Sequence, residues 1–129
     1  MVSNKELVEK ARKVRNNSYC EYSGFQVGAA LLTRDGNVFV GVNVENINFN
    51  STIHAEGSCI SSAVAQGYGV DDFEAIAVSC DEGFLPCGRC RQTLSEFQDE
   101  VEISVIVDDG DDYRCVELSE IFPGSMDKI

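Results

Sequence analysis

The chain has 129 residues, with 10 lysine and arginine side chains against 22 aspartates and glutamates, a formal net charge of −12 at pH 7. With 43% hydrophobic residues it can build a core of its own, so the acidity is laid over a folding sequence and does not mark disorder. A surface this acidic repels phosphate backbones and excludes nucleic acid as a partner unless a basic groove exists, and none is visible.

No apolar run reaches the roughly 18 to 20 residues of a membrane helix, and Ser3, Asn4, Lys5 and Glu6 form no signal-peptide core. No membrane partner is expected, and the chain reads as cytoplasmic. Ser3 and Glu6 make a capping-box pattern before Leu7, Val8, Ala11 and Val14 at helical spacing, which predicts a first helix over 3–15 ended by Asn16, Asn17 and Ser18. Strands over 25–33 and 38–43 flank the hairpin signal Asp35-Gly36, and 46–52 reads as loop. A buried helix over 54–66 follows, capped by Ser51 or Thr52 and stopped by Gly67.

A strand over 74–80 leads through a loop to a third helix, which Pro86 opens and which runs to about Phe97. Strands over 101–107 and 113–116 flank an acidic turn, and a short helix over 117–122 closes the chain. There is no repeat or linker, so a single domain is expected over residues 1–129. Helices between strands in this order predict an α/β fold of two or three layers, its interior strands covered on both faces.

Six cysteines without a secretory leader point to metal binding or catalysis rather than a disulfide framework. Their spacing narrows the choice. His54-Ala55-Glu56 begins one predicted helix and Pro86-Cys87-Gly88-Arg89-Cys90 begins the next. Two thiolates at a helix start can converge on one ion, and His54 makes a third donor. Zinc prefers four donors, so three from the protein leave one position for water. Two thiolates and a neutral imidazole balance the charge of Zn²⁺. Glu56, two residues from His54, is the candidate for moving protons.

Two other readings of the Cys-x-x-Cys stay open. A structural zinc needs a fourth protein ligand; Cys59 sits about 140° around the helix from His54, which leaves Cys80 as the conceivable one. A redox motif would leave His54 and Glu56 idle. Cys20, Cys59, Cys80 and Cys115 are expected as small buried residues, Arg89 and Arg91 as surface or interface charges with support of the thiolates by one of them as the alternative, and Asp71-Asp72, Asp108–Asp112 and Glu117/Glu120 as solvated faces.

The chain resembles the small cytidine deaminases, from Tyr22-Ser23-Gly24-Phe25-Gln26-Val27-Gly28 to Glu120-Ile121-Phe122-Pro123-Gly124. The most specific segments are Gly41-Val42-Asn43-Val44-Glu45-Asn46, His54-Ala55-Glu56 and Pro86-Cys87-Gly88-Arg89-Cys90-Arg91-Gln92. The resemblance implies a cytidine deaminase-like layered fold, a mixed five-stranded sheet with helices packed on its faces. It implies hydrolytic deamination of cytidine and deoxycytidine in pyrimidine salvage, with one Zn²⁺ per subunit held by His54, Cys87 and Cys90, and Glu56 as the catalytic residue. By the same carry-over Phe25 lines the nucleoside pocket, Asn43 and Glu45 hold the ribose hydroxyls, the backbone of Ala55 meets the pyrimidine carbonyl, and the Leu85 carbonyl receives the amine. A homotetramer with shared active sites is the form the short-chain branch implies.

Three departures stand out. Short-chain members usually carry Cys-Ala-Glu-Arg, whose arginine offsets a three-cysteine site, whereas this chain has His-Ala-Glu-Gly. Phe49 replaces a pocket tyrosine, and Met126 stands where an aromatic reaches a neighbour's base. Two alternatives are a blasticidin-S-type deaminase, which shares Pro-Cys-Gly-Arg-Cys-Arg-Gln, and a non-catalytic zinc-stabilised binding module.

Overall fold

The computed structural model describes residues 1–125, so Met126 lies outside the described residues. The elements are α1 (Asn4–Val14), β1 (Gly28–Thr33), β2 (Val38–Val42), α2 (Ala55–Ala65), β3 (Phe73–Ser79), α3 (Gly88–Ser95), β4 (Ser104–Asp108), β5 (Tyr113–Glu117) and α4 (Leu118–Ile121). One mixed sheet runs in the order β2-β1-β3-β4-β5, with β3 and β4 parallel and the other neighbours antiparallel.

Side-chain alternation along the inner strands explains the layering. Ala29, Leu31, Ile76, Val105 and Val107 face α2, α3 and α4 and pack on Ala55, Cys59, Ile60, Leu94 and Leu118. Ala30, Leu32, Ala75, Ala77 and Ile106 face the other way and pack on Leu7, Val8 and Ala11 of α1. The fold is therefore α/β in three layers, with helices on both faces of the five-stranded sheet.

Ser3 caps α1 by accepting the Glu6 amide at 3.1 Å, as the sequence pattern predicts. The β1–β2 hairpin turns at Gly36, whose φ of 94° lies in the left-handed region that a side chain disfavours. The expected first strand is shorter at its start, because the Asn43 side chain replaces the ladder there: its Oδ1 accepts from Val27 N at 2.9 Å and its Nδ2 donates to the Phe25 carbonyl at 2.7 Å. Gly41 lets β2 press against the start of α2. A Cβ at that position would sit 2.6 Å from the Ala55 carbonyl oxygen, which leaves no room for any other residue without moving the helix.

Of the acidic segments, Asp109, Asp111, Asp112 and Glu120 are exposed as expected, whereas Asp71, Asp72 and Glu117 are half-buried and Asp108 is buried. Asp71 adopts a left-handed conformation, and its carboxylate accepts the amides of Asp99, Glu100 and Val101 at 2.9, 2.9 and 3.0 Å. Asp72 accepts the Gly69 amide at 2.7 Å, and the Glu117 and Glu120 side chains form the capping box of α4. Asp108 is 4% exposed at the end of β4, where it takes Arg12 Nε and Nη2 at 3.0 and 2.7 Å and Ser79 Oγ at 2.8 Å. Burial pushes its carboxyl up, but the Arg12 and Ser79 hydrogen bonds outweigh that and hold it at about 2 against an ordinary 3.8.

A carboxyl depressed by folding stabilises above its ordinary value, and that contribution disappears as pH falls through about 2. Asp108→Asn should accordingly cost about 1–2 kcal/mol at pH 7, discounted for the half-exposed Arg12, and the deficit should shrink as the pH is lowered from 4 toward 2. Urea unfolding at neutral and acid pH measures it. A deficit that does not change with pH would show that the charge pair is not its source.

Candidate active site

The starts of α2 and α3 meet beside the carboxyl end of β3, where an open α/β sheet leaves a crevice. The structure keeps the expected start of α2 at His54 but corrects its cap, and it moves the start of α3 past Pro86. Neither Ser51, in a 3-10 turn over Phe49–Ser51, nor Thr52 caps α2; His54 does, and Cys87 rather than Pro86 stands at the head of α3. Both capping residues are extended, and neither makes a side-chain capping bond. A serine or aspartate there would turn its oxygen back onto the helix amides; the imidazole and the thiol remain available.

His54 Nδ1 lies 3.4 Å from Cys87 Sγ and 3.3 Å from Cys90 Sγ, and the donor atoms of the three residues lie within 4.8 Å of one another. Cys90 is buried and Cys87 exposed, so the trio reaches from the interior to the cavity. Two sulfurs and one imidazole nitrogen are a donor set that zinc accepts, with a position left over for a small molecule. Burial and then the nearby Glu56 charge push the Cys90 thiol up. A divalent ion among these atoms reverses that balance, so metal binding displaces a proton.

Among the described residues Cys80 does not join the group: it is buried, and its Sγ accepts the Phe84 amide at 3.4 Å. The fourth ligand that a structural zinc would need is therefore not supplied by Cys80. Cys59 is also buried, as expected, but Cys20 is half-buried and Cys115 is exposed on the edge strand β5, contrary to the expectation for both. Edge strands lack a neighbour to cover them, and a period-two pattern in a short strand does not say which side is covered.

Glu56 is 5% exposed in the first turn of α2, and it lines a cavity of about 280 Å³. Burial raises its carboxyl above the ordinary range, while its own amide, His54 and Cys90 pull it back. A buried carboxyl held above its ordinary range in this way can both take and give a proton. The same cavity is lined by Phe25, Asn43, Glu45, His54, Ala55, Leu85 and Cys87, so one chain gathers nearly every candidate named from its sequence. Phe49 is different: it is 75% exposed and lies outside this lining.

The aromatic wall has a member that sequence reasoning missed. Phe84 is 58% exposed at the mouth and sets its ring 6.3 Å from that of Phe25, tilted by 33°. An aromatic two residues before the Pro-Cys pair is the one signal that pointed to it. Glu45 accepts the Tyr22 and Ser23 amides at 3.0 and 3.1 Å as well as the Ser23 hydroxyl, whose bond holds its carboxyl below the ordinary range. Arg89 is exposed as expected. Arg91 is not a free surface charge: it is half-buried and donates to the Pro86 and Ile121 carbonyls at 2.8 and 2.7 Å.

Residues 1–106 match the family model described as the cytidine and deoxycytidylate deaminase zinc-binding region. This chain belongs to the cytidine deaminase family. Among its relatives in that family is a cytidine deaminase of Sporosarcina psychrophila, 36% identical over 125 residues, a match spanning 95% of this chain and 90% of that one. A probable cytidine deaminase of Dictyostelium discoideum is 45% identical over 103 residues, 74% of this chain and 69% of the other. The crystal structure of cytidine deaminase from Burkholderia pseudomallei superposes with a TM-score of 0.89 at 36% identity, covering 96% of this chain and 99% of that one. Family membership makes the His54, Cys87 and Cys90 cluster a possible zinc site of a deaminase.

Proposed function

We propose that this family member hydrolyses the exocyclic amine of free cytidine and deoxycytidine, yielding uridine and deoxyuridine with ammonia, as a step of pyrimidine salvage in the cytoplasm. The observation that carries the reading is a buried carboxyl, Glu56, standing beside an N/S donor set in an aromatic-walled cavity. His54, Cys87 and Cys90 hold zinc, whose Lewis acidity activates water as a nucleophile near neutral pH.

The remaining work belongs to the side chains and backbone. A Glu56 carboxylate oxygen takes the proton of water, passes it to the ring nitrogen, and carries the next one to the departing amine. Phe25 and Phe84 pack against the base. Ala55 meets the pyrimidine carbonyl and the Leu85 carbonyl receives the amine. Asn43, already bonded to Val27 and Phe25, keeps one amide hydrogen and one lone pair for a ribose hydroxyl, and Glu45 accepts from the other.

The net charge of −12 favours an uncharged nucleoside over a nucleotide or a polynucleotide. Among the described residues no helix is long and apolar enough to cross a membrane. Tyr19, Val44 and Ile53 form a short bridged ribbon that leaves exposed apolar side chains next to His54, together with Ile47 and Phe49, a surface suited to another subunit and so to a homotetramer with shared sites.

A spectrophotometric panel of cytidine, deoxycytidine, cytosine, cytidine monophosphate and blasticidin S tests the substrate, with light scattering to count chains. The two nucleosides should react, the nucleotide and free base should lag far behind, and four chains should associate. Turnover of blasticidin S alone would transfer the assignment to a modified nucleoside, and a zinc-loaded protein inert toward all five would leave a binding module.

A further inference from the structure

We propose that Arg91 is a positioning residue for zinc, fixing the backbone on both sides of Cys87 and tying it to α4. Cys87 needs such support: it is exposed, it precedes α3, and its side chain makes no capping bond. The amide of Arg91 makes the first helical bond of α3, to the carbonyl of Cys87 at 2.9 Å, as any residue but proline would there, and the arginine side chain adds a bond from its Nε to the carbonyl of Pro86 at 2.8 Å. One residue thus holds the carbonyl before and the carbonyl after the Cys87 Cα, the two peptide units that decide where Sγ points. Pro86 adds a fixed φ and is buried, so the segment has little freedom once its carbonyl is bound.

The same guanidinium reaches the other way. Its Nη1 donates to the Ile121 carbonyl at 2.7 Å, one of the carbonyls that the end of α4 leaves without a helical partner. A planar fork can serve two carbonyls in different directions at once; an ammonium on a flexible stem holds them less rigidly. Half-burial of the side chain strengthens both bonds relative to bonds in open water. Outer residues that orient a metal ligand in this way are typically worth 10–100-fold in metal affinity.

The inference rests on zinc being held by His54, Cys87 and Cys90, and zinc retention by the wild-type protein reports that separately from Arg91. Wild type, Arg91→Ala and Arg91→Lys are loaded with zinc, freed of excess, and challenged with a chelator whose metal complex is coloured. Zinc should leave Arg91→Ala about 10–100-fold faster than wild type, with Arg91→Lys in between. Melting the zinc-free forms separates positioning from bulk stability, because a purely structural arginine would lower their melting points and leave the withdrawal rate alone. Rates within about threefold of wild type in both variants, or in Arg91→Lys alone should the alanine variant not fold, overturn the proposal. A wild-type protein that retains no zinc overturns the ligand assignment along with it.

Discussion

Replacing Glu56 by glutamine should lower kcat by about 10²–10⁴-fold while the zinc content stays that of the wild type, the usual worth of a positioned acid–base group. Glutamine has nearly the shape of glutamate and keeps a carbonyl oxygen and a donor, so the cavity that Glu56 lines need not rearrange. What it loses is the ability to hold a proton and release it. The substitution should not destabilise the fold. Burial already works against ionisation of this carboxyl, and a neutral amide escapes the desolvation cost of a buried charge. A variant at least as stable as the wild type, zinc-loaded and nearly inactive, is therefore the expected result from steady-state kinetics, metal analysis and a thermal melt. Full activity with zinc retained would falsify the proton-transfer role.

The parts of the fold that could be read in the sequence are those governed by local rules. The Ser3 cap, the hairpin at Asp35-Gly36 and the apolar runs of β1 and β3, covered on both faces, each follow from a few neighbouring residues, and each is found where expected. The metal cluster was legible for the same reason: two short motifs at two helix starts need only those helices to approach one another. Long-range hydrogen bonds were not legible. Asp108 looks like part of a solvated acidic run until Arg12, 96 positions away, takes it, and Arg91 looks like a surface charge until α4 folds back over α3.

Phe84 was missed because a single aromatic in a loop carries no periodicity, and its meaning depends on Phe25 standing opposite. The helix caps were misplaced for a chemical reason. Ser51 and Thr52 satisfy the capping rule better than His54, but the helix begins where the imidazole is wanted, leaving its side chain free at some cost to the cap. Local rules fail where the site makes its demand.

Removing one ligand should have the largest effect on the metal. His54→Ala, Cys87→Ala and Cys90→Ala each leave two donors, fewer than zinc accepts from a protein site, so affinity should fall by well over the roughly 100-fold that an outer residue commands. Activity should disappear with the metal. The chain should nevertheless stay folded, unlike small zinc modules that collapse without the ion, because its two hydrophobic cores on the faces of the sheet include only Cys59 of the cysteines and neither ligand thiol. The loss of stability should equal what zinc binding adds to the folded state. Wild type treated with chelator should then melt close to the Cys87→Ala variant, while untreated wild type melts higher. Since Cys87 is exposed and Cys90 is 2% exposed, Cys87→Ala is the cleaner of the two, with no buried space left behind. A His54→Ala protein that still carries one zinc per chain, measured by atomic absorption after dialysis, would remove the imidazole from the ligand set and bring the structural reading with another donor back into play.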